Sequence, residues 1–264
     1  QLLGGKGANQ SIALAQAGAD VCHVGSIHEN DAAFKQALIK KGVDCRGVKC
    51  SETPSGHAII QVTPSGENAI VLFGGANKTI TAKTVMQALD GTKPSDWVLT
   101  QNETSSIDQV LRQAKEKQLK VAFNPAPMSE SVKSLPLECI DLLIVNETEA
   151  AALTEKDSLD DIVAVFKEQW SECEVIITLG KAGVMMLKNN DCIKVDAFLV
   201  DAVDTTAAGD TFIGYFLSAY SNHTDAKRAL IRGCAASAIA VTREGAAQSI
   251  PTQKEVDRFL AKHS

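Results

Sequence analysis

Short apolar runs of strand length recur along this chain, separated by stretches with helical periodicity, and that alternation restricts its fold more than any other feature. Residues 96–100, 121–123, 140–145 and 175–179 are the strand-like runs, and the middle two have the continuous apolar character of strands buried on both faces. Between the runs, Ile107, Val110, Leu111 and Ala114 trace one helix face, and Leu159, Ile162, Val163, Phe166 and Trp170 trace another. Residues 184–187 read as a strand pairing close to 175–179, and 209–220, 225–241 and 253–261 read as helices. Upstream, the pattern predicts a helix over 8–17 stopped by Gly18, a strand over 20–26, and a helix capped by Asn30 or Asp31 that Gly42 ends. Strands alternating with helices predict an α/β protein with a mainly parallel, doubly wound sheet covered on both sides.

One segment breaks the alternation. Residues 58–62 and 69–73 are β-branched, apolar runs with Pro64-Ser65-Gly66-Glu67 between them, which predicts an antiparallel hairpin. Such a hairpin, within a β segment of about 48–77, reads as a small flap or lid. The 264 residues contain no repeat, low-complexity tract or clear linker, so 1–264 is expected to be one α/β domain carrying that lid.

Charge and cysteine usage exclude several function classes. Lys and Arg number 26 against 32 Asp and Glu, with no basic block, so nucleic acid is not an expected partner. The seven cysteines are odd in number, scattered and without a C-x-x-C, which fits a reduced, cytoplasmic protein better than a disulfide or zinc framework. No apolar run reaches transmembrane length and no signal-peptide pattern is present, so no membrane partner is expected either.

In folds of this kind ligands gather beyond the carboxyl ends of the strands, so polar residues there deserve inspection. Asp204-Thr205-Thr206-Ala207-Ala208-Gly209-Asp210-Thr211-Phe212 joins a turn of small residues to a helix start. Small side chains let backbone N–H groups approach an anion at a helix N-terminus, and Asp210 could take a proton from a hydroxyl attacking that anion. Alternatively, Asp210 only complements the dipole and the small residues only pack. Gly4-Gly5-Lys6-Gly7-Ala8-Asn9 also leads into a helix; Lys6 and Asn9 offer donors for sugar hydroxyls, or the stretch is a tight turn with a cap. Asn146 and Glu149 have the spacing of a capping box and equally could serve a phosphate-bound Mg²⁺. Thr178-Leu179-Gly180-Lys181-Ala182-Gly183 is either a nucleotide-binding loop or a plain glycine turn, and Glu103 is a ligand contact or a solvated carboxylate.

Taken together, these motifs resemble those of the PfkB carbohydrate kinases. GGKGANQ at 4–10 and the 204–210 segment resemble the two family signatures; GGAN at 74–77, NPAP at 124–127, NETE at 146–149, TLG at 178–180 and VTREGAAQS at 241–249 point to its ribokinase branch. The resemblance implies a ribokinase-like three-layer sandwich that phosphorylates O5 of D-ribose with ATP, Mg²⁺ and K⁺. Asp210 would be the base, with Ala207, Ala208 and Gly209 as the anion hole. Gly5, Lys6, Asn9 and Glu103 would hold the sugar with Asp210. Asn146, Thr178, Leu179, Gly180, Lys181, Ala182, Gly183 and Gly209 would meet the nucleotide, with Glu149 in the Mg²⁺ region. Asp204, Thr206, Ala240, Arg243, Gly245 and Ser249 would surround K⁺. Lids of this family also mediate dimers, so a homodimer through the lid is an expectation.

Three departures from the family pattern stand out. The family's first central strand, with its sugar-binding Asp, and the first lid strands would precede Gln1. A sheet without them would expose apolar edges and unpaired backbone groups. His28 stands where the first signature ends in glycine, and would be strained if that position needs a positive φ. Cys234 occupies the place of a His that meets adenine in some members. The alternatives are another sugar kinase of the family, such as a deoxyribokinase or fructokinase, or a non-catalytic sugar- or nucleotide-binding protein.

Overall fold

A computed structural model describes residues 3–62, 68–189 and 191–263. In chain order the elements are α1 (Lys6–Gln16), β1 (Cys22–His28), α2 (Ala32–Lys40), β2 (Asp44–Ser51), β3 (His57–Val62), β4 (Asn68–Phe73) and α3 (Ala82–Ala88). There follow β5 (Trp97–Gln101), α4 (Ile107–Glu116), β6 (Lys120–Asn124), β7 (Leu142–Asn146), α5 (Glu147–Thr154), α6 (Leu159–Gln169) and β8 (Glu174–Thr178). The chain continues with β9 (Val184–Lys188), β10 (Asp191–Val195), α7 (Ala208–Ser221), α8 (Ala226–Val241) and α9 (Gln253–Lys262).

The main sheet has the order β10-β9-β8-β7-β6-β5. Its four strands β5 to β8 are parallel, and β9 and β10 complete it antiparallel. Side chains two apart on a strand share a face, and this period splits the core cleanly. Val121, Phe123, Leu143, Val145, Val175 and Ile177 pack with Leu111 of α4, Ala150 of α5 and Phe166 of α6. Their neighbours Ala122, Leu142, Ile144 and Ile176 pack on the opposite face with Phe212 and Phe216 of α7 and Leu230 of α8. Helices therefore cover both faces in three layers, as the apolar runs require.

β1 and β2 form a separate parallel pair, and β3 and β4 form the expected antiparallel hairpin, with His57 opposite Phe73. The turn expected at 64–67 lies outside the described residues. Ile59, Val71, Leu72 and Phe73 of the hairpin are exposed. Four elements had no reading of their own in the sequence. β2 alternates Cys45 and Val48 with Asp44, Arg46 and Lys49, β10 is half polar, α3 has seven residues, and α5 showed only its cap. His28 is extended at φ −68°, a conformation open to any residue, so no strain arises there.

The placement of α1 matters most for the site. Gly214, inside α7, sits against α1 so closely that an added Cβ would lie 2.3 Å from the Cβ of Ala13. One turn earlier Asn9 meets Asp210, and one turn later Ser218 Oγ donates to the carbonyl of Ala17. The two helices thus run side by side in the same direction, and Gly214 sets their separation.

Candidate active site

Four strand ends converge on one rim of the sheet. Gln101 of β5 lies beside Asn124 of β6, and Asn146 of β7 beside Thr178 of β8. Across this rim lies the N-terminus of α7, whose first turn carries Asp210.

Asp210 is buried, 7% exposed. Its Oδ2 accepts from Asn9 Nδ2 and its Oδ1 from Gln10 Nε2, both at 2.9 Å. Burial raises its pKa, opposed by the nearby Lys6 charge and by the two amide hydrogen bonds. A carboxylate so held is ionisable yet poorly solvated, the condition of a general base. Asn9 Oδ1, also buried, has no hydrogen-bond partner among the described residues. A buried acceptor beside a buried carboxylate is suited to a donor from outside the chain, such as a hydroxyl.

Lys6 links the start of α1 to Glu103, just beyond β5. Its backbone N–H donates to Glu103 Oε2 at 3.1 Å. Glu103 has a pKa raised by burial, against the pull of Lys6. Glu149 is likewise shifted upward by burial, with Asn146 N–H and Lys6 opposing. The capping box is real: Glu149 N–H donates to Asn146 Oδ1 at 2.8 Å and Asn146 N–H to Glu149 Oε2 at 3.0 Å. It holds the Glu149 carboxylate at the start of α5, within electrostatic reach of Lys6 and Asp210.

The glycines divide into two groups. An added Cβ at Gly5, Gly180 or Gly209 would meet nothing within 4 Å, so nothing in the packing asks for a bare backbone there. Gly5 and Gly180 have φ of +96° and +54°, backbone that side chains rarely adopt. Gly183 is different, because a Cβ would lie 2.1 Å from the carbonyl oxygen of Val195. Its glycine is explained by the turn between β8 and β9, where Leu179 N–H donates to Gly183 C=O at 2.8 Å. Lys181 and Ala182 lie on the exposed short helical turn of that loop, and Thr178 Oγ1 donates to the carbonyl of Val145. At the α7 N-terminus, Ala208 N–H donates to Thr205 C=O at 3.1 Å.

The turn before α7 is tied to the end of α8. Val203 and Asp204 N–H both donate to Val241 C=O, and Gly245 N–H donates to Asp204 Oδ2 at 2.8 Å. Asp204 Oδ1 accepts from the backbone N–H and hydroxyl of Thr206. Hydrogen bonding by Thr206 holds the Asp204 carboxyl below its usual range. Arg243 N–H donates to Ala240 C=O while its guanidinium pairs with Glu255 at 2.6 Å, and Ser249 Oγ donates to Ala246 C=O. Asp204, Thr206, Val241 and Gly245 are therefore joined directly, with Ala240 next to Val241 in the chain; the side chains of Arg243 and Ser249 are engaged elsewhere. Cys234 is buried against the apolar layer beneath α7 and α8, and burial pushes its thiol up to about 12.

Sequence reading missed Gln10, Gln101 and Asn124, which join Asp210 in one buried network. Gln101 and Asn124 are the last residues of their strands, and the rule that ligands gather at carboxyl ends already pointed at that rim. Among the described residues no cluster of three His, Cys, Asp or Glu side chains could hold a metal, and no helix is long and apolar enough to cross a membrane.

Comparison with known proteins agrees with this geometry. A ribokinase of Haemophilus influenzae is 38% identical over 267 residues, spanning 97% of this chain and 87% of that protein. The crystal structure of a Cryptococcus neoformans ribokinase in complex with ADP superposes with a TM-score of 0.85 at 31% identity, covering 97% of this chain and 88% of its own. An Arabidopsis thaliana ribokinase complexed with ribose and ATP gives 0.84 at 28% identity, covering 97% and 87%. The model of the pfkB family carbohydrate kinases matches residues 1–253, and the chain belongs to that family.

Proposed function

We propose that this chain transfers the γ-phosphoryl group of ATP to the 5-hydroxyl of D-ribose, with Asp210 as the base. The observation that carries the reading is the buried Asp210 carboxylate beside Asn9 Oδ1, an acceptor with no partner among the described residues. The named relatives, one solved with ribose and ATP, support the choice of substrates. In the transfer a bond forms between ribose O5 and the γ-phosphorus and the bond to the β–γ bridging oxygen breaks. The hydroxyl proton passes to Asp210, and ADP leaves. Gly5, Lys6, Asn9 and Glu103 orient the sugar.

The N–H groups of Ala207 and Gly209 face the transferring group, and that of Ala208 joins them once Thr205 C=O releases it. The strand-end loop at 178–183 and Asn146 take the nucleotide. Glu149, with Asn146, would hold Mg²⁺ as one carboxylate beside the phosphates; the ion supplies charge neutralisation there. The Asp204 carboxylate, Thr206 hydroxyl and main-chain carbonyls near Ala240 and Gly245 are an oxygen set suited to K⁺, to which Arg243 and Ser249, whose side chains are engaged elsewhere, would add only main-chain carbonyls. Residues 1–264 act as one ribokinase-like domain in the cytoplasm. The segment 48–77 closes over the sugar, and its exposed hairpin face offers a dimer contact.

The test is ADP release from ATP and Mg²⁺ with and without D-ribose, in K⁺ and in Na⁺. Ribose-dependent release is expected, faster in K⁺. Release with fructose or deoxyribose in place of ribose would reassign the sugar, and equal rates in the two salts would remove the K⁺ site. Sedimentation of a monomer at micromolar concentration would remove the dimer.

A further inference from the structure

We infer that Gln10 is a positioning residue for the proposed base, holding the Asp210 carboxylate in one orientation through an amide network whose polarity is fixed by the backbone of β7. The inference rests on the reading of Asp210 as base. The main-chain carbonyl of Ile144 can only accept. Asn124 Nδ2 donates to it at 2.9 Å, so Asn124 must present its oxygen to Gln10. Gln10 Nε2 donates to that oxygen at 3.3 Å, and its second hydrogen goes to Asp210 Oδ1 at 2.9 Å. Gln10 Oε1 in turn accepts from Gln101 Nε2 at 2.7 Å.

Both Nε2 hydrogens and Oε1 of Gln10 thus have partners within the protein, and the residue is fully buried. Gln10 therefore has no exposed atom with which to touch a sugar. Asn9, its neighbour, is the opposite case, with a buried oxygen that has no partner among the described residues. Two adjacent amides therefore divide the work: one turns toward the substrate, and the other fixes the base. Because Gln10 cannot reverse its amide without facing Asn124 oxygen to oxygen, it always offers Asp210 a donor. A donor favours the ionised carboxylate, the form that can take a proton. The charged groups facing Asp210 are Lys6 of α1, Glu103 after β5 and Glu149 of α5, and none of them can replace a directed hydrogen bond.

The test compares Gln10→Met, Gln10→Glu and Asp210→Asn with the parent protein by kcat–pH profile, calorimetric ribose binding and thermal unfolding. Losing the donor should move the acid limb of the Gln10→Met profile upward by about one pH unit and slow turnover about tenfold at the acid end. Ribose affinity should stay within about twofold, since Gln10 makes no sugar contact. Gln10→Glu, nearly the same size, should move the limb further, because two carboxylates would then share one proton. An unmoved limb in a folded Gln10 variant, with turnover tracking only the folded fraction, would overturn the inference and leave the base assignment standing. Turnover that survives Asp210→Asn would overturn the base assignment itself, and this inference with it.

Discussion

Asp204 and Asp210 stand at the two ends of one turn, and the fold treats them in opposite ways. Asp204 is partly exposed and accepts from the Thr206 backbone and hydroxyl and from Gly245 N–H, so its carboxyl is held below the usual range. Asp210 is buried, accepts from the amides of Asn9 and Gln10, and is pushed upward by desolvation. Backbone N–H groups cannot move out of the way, so the first carboxylate is a permanent charge that shapes the turn. Side-chain amides in a buried site hold the second one, as the proposed base requires. Environments that push two like groups in opposite directions mark a division of roles.

The comparison breaks most visibly at Asp210. Asp210→Asn should lower kcat by about 10³-fold, within the range a positioned base contributes, while ribose binding survives. Steady-state turnover and calorimetric binding on the same sample check this. If binding and turnover fall together, Asp210 is a sugar ligand and no more, and the contrast with Asp204 loses its catalytic meaning.

A change that reaches one aspartate through packing comes next. Gly214→Ala would place a Cβ 2.3 Å from that of Ala13 and 2.7 Å from Leu14 N, so α1 must retreat from α7. Overpacking of this kind costs about 1–3 kcal/mol. It should also loosen Asn9 and Gln10 from Asp210, so activity should fall further than the loss of folded protein explains. The Asp204 turn, tied instead to Val241 and Gly245, should keep its K⁺ response. Denaturant unfolding and the ratio of rates in K⁺ and Na⁺ separate the two effects.

How much of this was legible in the sequence follows from how local each feature is. The sheet was readable because β6 and β7 are apolar on both faces, and the α7 turn because its small residues and Asp210 are consecutive. The hairpin was readable from two matched runs. β2 and β10 were not, since their few buried residues are interrupted by charges, and β2 slips register against β1 between Asp44 and Gly47. The Asp210 network was hidden for another reason: Gln10 and Asp210 are far apart in the chain, and only the packing of α1 on α7 brings them together. One local sign existed. Gly214 lies inside a helix, where glycine costs roughly 1 kcal/mol relative to alanine, and so asks for a packing explanation.

Asp204 gives a smaller effect. Asp204→Ala removes the acceptor of Thr206 and Gly245 N–H, and with solvent able to replace part of that bonding the loss should be about 1 kcal/mol. Turnover should fall mainly by losing its preference for K⁺ over Na⁺. A variant that loses as much activity as Asp210→Asn in both salts would erase the division of roles between the two carboxylates.

The smallest effect is the most direct reading of the buried charge. A carboxyl whose folded pKa lies above its unfolded value binds its proton more tightly in the native state. Stability then decreases as pH rises from the unfolded pKa through the folded one, and the cost is fully present above the folded pKa. Removing the charge should therefore stabilise the fold, provided the replacement amide finds partners. It can: while no sugar is bound, Asn9 can turn its oxygen, which has no partner among the described residues, to accept from the new amide, and Gln10 keeps donating to the new carbonyl. Asp210→Asn should thus have a higher Tm than the parent at pH 7, with the gap closing as pH falls toward the ordinary aspartate range. Calorimetry across that range reads the sign. A variant less stable than its parent at pH 7 would mean that the Asn9 and Gln10 hydrogen bonds outweigh desolvation, and that Asp210, like Asp204, is held as a permanent anion.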